Sequence, residues 1–155
     1  MTPKEIMARA IEISRTEMKT KGYRPFAAII VKDGEIVAEG CNDTVESFDP
    51  TGHGEVVAIR NATRKLKTAD LSGHEIYTTC EPCSLCVAAI WWAKLDKMYY
   101  ANTLEDCLDI GLDCTPLERE VSRPIADRDL PTERILAAEA YQVFEEWKQT
   151  PAFQF

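Results

Sequence analysis

The sequence predicts an α/β protein with helices on both faces of a mixed sheet. Three observations lead there. Residues 2 to 20 open with a capping box and continue with an apolar stripe at helical spacing. Residues 26 to 41, FAAIIVKDGEIVAEGC, hold two β-rich runs around Asp33-Gly34, a strong signal for a tight hairpin turn. From residue 53 onward, helix-like and strand-like runs alternate, as expected when strands are joined through helices.

Each element follows from local chemistry. Thr2 suits the N-cap of the first helix, Pro3 its first turn, and Glu5 can reach back to close the box. Ile6, Ala10 and Ile13 share a face with Glu17. GYRP, residues 22 to 25, ends that helix. The hairpin is followed by a polar loop rich in turn residues, NDTVESFDPTG from 42 to 52. HGEVVAIRNATRKLK, 53 to 67, reads as a second helix on the spacing of Val56, Val57, Ala62 and Leu66. EIYTTC (75 to 80) and KMYYAN (97 to 102) read as strands around an apolar helix, SLCVAAIWWAK (84 to 94). TLEDCLDIG, 103 to 111, reads as a short helix stopped by Gly111. Residues 112 to 131 carry Pro116, Pro124 and Pro131 and read as irregular. A last helix is expected over 132 to 148 with Thr132 as N-cap, although Ile135 stands where a capping box needs an acid.

A chain of 155 residues suits one domain, expected over 1–155, with 150–155 as a tail. The longest apolar runs, such as VAAIWWA, fall far short of the ~18 residues of a membrane span. The start of the chain lacks the basic, apolar and cleavage regions of a secretion signal, so the expected location is cytoplasmic with no membrane partner. The net charge is −8 and the basic residues do not cluster, which argues against a nucleic-acid partner. The six cysteines, in a chain without a secretion signal, point to metal or redox chemistry rather than a disulfide framework.

Cys83 and Cys86 stand where a strand gives way to a helix, with Pro82 at the entry. A helix N-terminus stabilises thiolates, and two of them three residues apart can grip one cation. Taken alone, the pair also fits a redox couple or two buried thiols. His53 adds a third soft or borderline ligand, and two Cys with one His make a zinc site that keeps a fourth position open. One zinc per chain is therefore expected. The other histidine, His74, lies in a turn without a carboxylate at that offset and reads as a surface residue. Glu55, two residues beyond His53 at a helix start, can take a proton from water and hand it to a leaving group. Its bland alternative is an acid favoured by the helix dipole. Cys80, three residues before Cys83, is the candidate fourth ligand should the metal be purely structural.

These residues carry a resemblance. HGE at 53 to 55 followed by PCSLC at 82 to 86 matches the His-x-Glu … Pro-Cys-x-x-Cys signature of zinc deaminases. The chain resembles the cytidine deaminase superfamily and, within it, the guanine deaminase branch. PFAAIIVKDGEIVAEGCN, DPTGHGEVVAIRNA, YTTCEPCSLCVAAIWWA and DIGLD extend the likeness over nearly the whole length. The resemblance implies a three-layer α/β/α sandwich around a five-stranded mixed sheet. It implies hydrolytic release of ammonia from a free amino-substituted heterocycle, guanine-like, with His53, Cys83 and Cys86 on zinc and Glu55 moving the proton. Asn42 would hydrogen-bond the ring, Phe26 and Trp92 would wall it, and the Gly54 backbone would line the pocket. Stacking agrees with the preference of flat rings for aromatic faces; Trp91 is expected in the core. A homodimer is implied in which the tail is exchanged and Phe153 or Phe155 caps the partner's pocket.

Three departures bear on the substrate. Asp113-Cys114 stands where that branch usually has two aspartates, the chain ends in Phe where Tyr is common, and Gly54 replaces a usual Ala. Cytosine, a pterin or an aminotriazine are the alternative rings. A tRNA adenosine deaminase shares the motifs, but the acidic last helix disfavours it; a non-catalytic zinc module is the reading from another class.

Overall fold

A computed structural model of the chain describes residues 1 to 154; Phe155 lies outside the described residues. The chain forms two compact units, Met1–Arg119 and a shorter one beginning at Glu120. The first unit opens with α1 (Pro3–Lys21), β1 (Arg24–Lys32), β2 (Glu35–Asn42) and α2 (Gly54–Leu66). It continues with β3 (Glu75–Cys80), α3 (Ser84–Trp92), β4 (Lys97–Asn102) and α4 (Leu104–Asp109). The expected capping box is formed: Glu5 N–H donates to Thr2 Oγ1 at 3.3 Å, and Thr2 N–H donates to Glu5 Oε2 at 2.7 Å. Asp33 and Gly34 both have positive φ, 51° and 78°, which is what the tight hairpin turn requires.

The sheet order is β2-β1-β3-β4. β1 runs antiparallel to both β2 and β3, and β3 runs parallel to β4, so the sheet is mixed. Alternate residues face alternate sides, as the pleat dictates. Ile29, Val31 and Tyr77 pack on Ile6 and Ala10 of α1. Ala28, Ile30 and Ile76 pack on Ala58 and Ala62 of α2 and on Ala93. Each fully buried Ile contributes about 1.5–3 kcal/mol of transfer free energy, and the two clusters make three layers.

Four strands form the sheet among the described residues, where the resemblance implied five. Beyond β4 the chain has helix signals instead of a further alternating run. Thr103 and Asp106 make a capping box for α4. Pro116, read in sequence as a mark of irregular chain, is the second residue of α5 (Thr115–Ser122), a first-turn position where a missing N–H is harmless. Residues 112 to 131 are therefore partly helical, with a short 3-10 turn at Ile125–Asp127 as well. The last helix, α6, spans Ala137–Lys148 and starts later than Thr132; with Ile at 135 no capping box fixes the earlier start.

Two glycines set how α2 lies on the sheet. A Cβ at Gly40 of β2 would stand 2.4 Å from Ala58 N and 2.7 Å from Gly54 O. A Cβ at Gly54 would stand 2.4 Å from Phe26 O of β1. Backbone rests on backbone at both points, and this seats residues 53 to 55 against the start of β1 and the end of β2.

Candidate active site

His53 is the N-cap of α2 and Cys83 the N-cap of α3, and neither side chain makes a capping hydrogen bond. Their ligand atoms turn toward each other instead. His53 Nδ1 lies 3.5 Å from Cys83 Sγ and 3.4 Å from Cys86 Sγ, and the two sulfurs are 3.9 Å apart. A tetrahedral zinc with bonds of about 2.3 Å to sulfur and about 2.0–2.1 Å to nitrogen places its ligands about 3.8 Å (S to S) and about 3.5 Å (S to N) apart. The three donors fit that ion in type and in spacing. Among the described residues they are also the one His/Cys/Asp/Glu group gathered closely enough to hold a metal.

The electrostatics agree. Cys83 and Cys86 share a proton: Cys83 is drawn down to about 4, first by its hydrogen bond with Cys86, and Cys86 is raised by the same bond and by burial. His53 is raised by its hydrogen bond with Cys83. The shift favours a thiolate at Cys83, the form a metal ligand must take. Two helix N-termini converge here and favour negative charge.

Glu55, the second residue of α2, is 7% exposed and lines a cavity of about 220 Å³ together with His53 and Cys83. Burial is the main cause that raises its carboxyl above the usual Glu range, toward the value a proton carrier needs near neutral pH. The loop that delivers His53 is clasped to α2. Asp49 accepts from the Thr51 hydroxyl at 2.6 Å and from Arg60 at 2.7 Å, and Asp43 N–H donates to Gly52 O at 3.0 Å.

The other sequence-predicted residues divide. Asn42, Phe26 and Cys114 line the cavity. Asn42 Oδ1 accepts from Thr44 N–H and hydroxyl at 3.3 and 2.9 Å, which fixes the amide and leaves its NH2 as the group it can offer. Gly54 is absent from the cavity wall; its place is the close contact with Phe26 O. Trp92 does not reach the cavity and is 69% exposed on α3, while Trp91, expected in the core, is 70% exposed beside it. α3 is too apolar all round for periodicity to say which face packs. Asp113 is exposed, and its Oδ1 accepts from Thr115 N–H at 2.9 Å at the start of α5. Phe153 packs edge-on against Trp147, ring centroids 4.9 Å apart; Phe155 lies outside the described residues. His74, read as a surface residue, is 6% exposed, and its Nδ1 lies 3.1 Å from Leu71 O. Cys80 is no fourth ligand: its sulfur sits 3.2 Å from Cys107 Sγ, outside the metal group.

Sequence reasoning missed Arg24, Glu81 and Cys107 on the cavity wall. Arg24 had a signal in its position, two residues before Phe26. Cys107 had none, because nothing in α4 says that its inner face meets the end of β3.

Comparison with known proteins agrees with this geometry. Residues 1–102 match the family model described as the cytidine and deoxycytidylate deaminase zinc-binding region. The chain is 35% identical over 148 residues to guanine deaminase of Bacillus subtilis, covering 96% of this chain and 95% of the relative. An X-ray structure of guanine deaminase from Bacillus subtilis superposes with a TM-score of 0.94 at 34% identity, over 100% of this chain and 99% of that one. A tRNA-specific adenosine deaminase of Aquifex aeolicus is 43% identical over 81 residues, but these span only 52% of this chain and 54% of the relative. With its ligand triad, buried glutamate and matched sequence, the chain belongs to the cytidine and deoxycytidylate deaminase zinc-binding family, as a zinc hydrolase related to guanine deaminase.

Proposed function

We propose that the protein hydrolyses the exocyclic C–N bond of a free guanine-like ring, releasing ammonia and leaving a carbonyl on the ring. The observation that carries this reading is the buried Glu55 carboxyl in the wall of a base-sized cavity beside His53 and Cys83. Zinc held by three protein ligands supplies the Lewis acidity that makes water a nucleophile near neutral pH.

The chain's own residues do the rest. His53, Cys83 and Cys86 hold the ion. Glu55 accepts the proton of the attacking water and returns it to the departing amine, first base and then acid. Burial at this position lets it hold that proton between the two steps. Asn42 offers its NH2 to a ring acceptor, Phe26 provides an aromatic wall, and Cys114 contributes a small, weakly polar surface. A cavity of about 220 Å³ is below the range of about 300–1,000 Å³ typical of drug-sized ligands, which favours a free base over a nucleoside. The net charge of −8 disfavours a tRNA substrate. Cytosine, pterin and aminotriazine rings are the alternatives, because Cys114 replaces an acid at the site of guanine recognition implied by the likeness.

The working unit in this proposal is one deaminase domain, paired as a homodimer in the cytoplasm, with the C-terminal tail exchanged so that Phe153 or Phe155 reaches the partner's pocket. Val87, Trp91 and Trp92 on α3 are all exposed, and large apolar surface of this kind favours a protein partner. The test is an ammonia-release screen of the zinc-loaded protein over guanine, cytosine, adenine, isocytosine, aminotriazines and pterins, with the nucleosides alongside. Turnover of guanine above all nucleosides is expected. A protein that binds stoichiometric zinc and releases ammonia from none of these compounds would overturn the reading.

A further inference from the structure

We propose that Arg24 is a specificity-determining residue and that the preferred substrate carries an oxyanion, a ring carboxylate or a phosphate, which Arg24 binds at the cavity wall. This deepens the deaminase reading above and rests on it.

Arg24 is the first residue of β1, and it pairs across the hairpin with Asn42, the last residue of β2. Directly opposed residues of an antiparallel pair present their side chains on the same face, and both line the cavity. The pairing then breaks: the next register pair is Ala27 with Cys41, so Pro25 and Phe26 have no partners on β2. Arg24 and Phe26, two residues apart on β1, share a face as the pleat dictates, and both line the cavity.

Among the described residues no carboxylate lies within ion-pair distance of the Arg24 guanidinium, and it donates no hydrogen bond. Arg9 pairs with Glu39, Arg15 with Glu12 and Arg60 with Asp49, whereas Arg64 and Arg134, like Arg24, make no ion pair among the described residues; of these three only Arg24 lines the cavity. Two acids share the cavity wall with Arg24. Glu55 is buried beside the metal donors, and Glu81 accepts from Leu104 N–H at 3.0 Å.

Arg24 and the Asn42 NH2 therefore form a lip of hydrogen-bond donors with one full positive charge. A neutral guanine leaves that charge without a counter-ion. A carboxylate or phosphate on the substrate satisfies it, and planar forked geometry makes Arg the residue best shaped for either group. The small cavity favours a carboxylated free ring over a nucleotide.

The test compares zinc-loaded wild type with Arg24→Ala and Arg24→Gln. Ammonia release is measured on pterin against pterin-6-carboxylate and on guanosine against GMP, with guanine as reference. The ratio of kcat/KM for the charged to the neutral member of a pair is the readout, since it cancels any loss of folded or metal-loaded protein. A wild-type ratio well above one that falls about 10- to 100-fold in both variants is expected, the scale of a hydrogen bond to a charged group. A ratio unchanged in the variants would overturn the proposal. An Arg24-dependent preference for GMP alone upholds it with phosphate as the source of the oxyanion. Binding of pterin-6-carboxylate, followed by pterin fluorescence, is measured in Glu55→Gln with and without Arg24→Ala. If guanine yields no ammonia while the carboxylate still binds about 10-fold or more tightly through Arg24, the guanine reading fails and the anion site stands. If guanine is turned over while the carboxylate binds equally with and without Arg24, the reading stands and the anion site fails.

Discussion

Replacing Glu55 by Gln tests the proton path with little disturbance of shape. The side chain is 7% exposed at the second position of α2, and Gln has nearly the same volume, so no cavity opens. What is lost is the ability to take and return a proton. General acid–base catalysis contributes about 10²–10⁴-fold, equivalent to about 2.7–5.4 kcal/mol at 1.36 kcal/mol for each factor of ten. The fold should not suffer, because burial already disfavours the carboxylate and an uncharged amide removes that penalty. The assay has three readouts on one preparation: ammonia release on guanine, zinc by elemental analysis, and Tm. The expected result is about one zinc per chain, a Tm equal to or above wild type, and kcat lower by about 10² or more. A variant that retains zinc and more than a tenth of wild-type kcat refutes the role given to Glu55. Loss of zinc in step with activity refutes it differently, by making Glu55 a ligand.

Cys83→Ser should lose the one zinc per chain that elemental analysis is expected to find in wild type, because only the His53 and Cys86 donors of the group remain; retention would move the metal elsewhere. Gly40→Ala places a methyl 2.4 Å from Ala58 N and should cost about 1–3 kcal/mol in a denaturant titration, the range for overpacking; an unchanged midpoint would mean that α2 shifts freely on the sheet. Asp49 is held at about 2, first by the Thr51 hydroxyl, against 3.8 as its ordinary value. A depressed carboxyl stabilises the fold above the unfolded value, and that contribution is lost as pH falls from about 4 toward 2. Asp49→Asn should therefore flatten part of the acid fall in stability over that window, and a variant with the same acid profile as wild type would contradict this. Deleting residues 150 to 155 should raise KM for guanine more than it lowers Tm; normal kinetics in the truncated chain would remove the tail from the pocket.

The chemistry of the site was legible because it is written in short segments. His53 with Glu55, and Cys83 with Cys86, each occupy one helix start, and the signature they make together, rather than the spacing of either pair, pointed to one site. α1 and the hairpin were legible for the same reason, since a capping box and a turn dipeptide act within four residues. The cavity wall was not. Cys107 reaches Cys80 across 27 residues of sequence, and only its place two residues before Phe26 marked Arg24. α3 was hard to read because an all-apolar helix has no stripe: Trp91, expected in the core, is 70% exposed, and Trp92 stands exposed beside it. Pro116 misled because proline marks a loop in one context and the first turn of a helix in another.

The caps of the helices show how metal binding and fold are joined. α1 and α4 begin with threonines whose side chains close capping boxes. α2 and α3 begin with His53 and Cys83, which make no capping hydrogen bond. A side-chain cap is worth about 0.5–2 kcal/mol, so both helices forgo a local stabilisation at the point where each presents a metal donor. Gly40 and Gly54 place the backbone of α2 directly on the strands, so its first turn is held by packing rather than by a cap. The ligand atoms are then free to face one another, and the unsatisfied N–H groups of both helix starts favour the anionic sulfurs and the Glu55 carboxyl. On this account zinc takes the place of two caps, and chelation should loosen the starts of α2 and α3, seen as faster amide exchange at residues 54 to 57 and 84 to 87, while leaving the start of α1 unchanged.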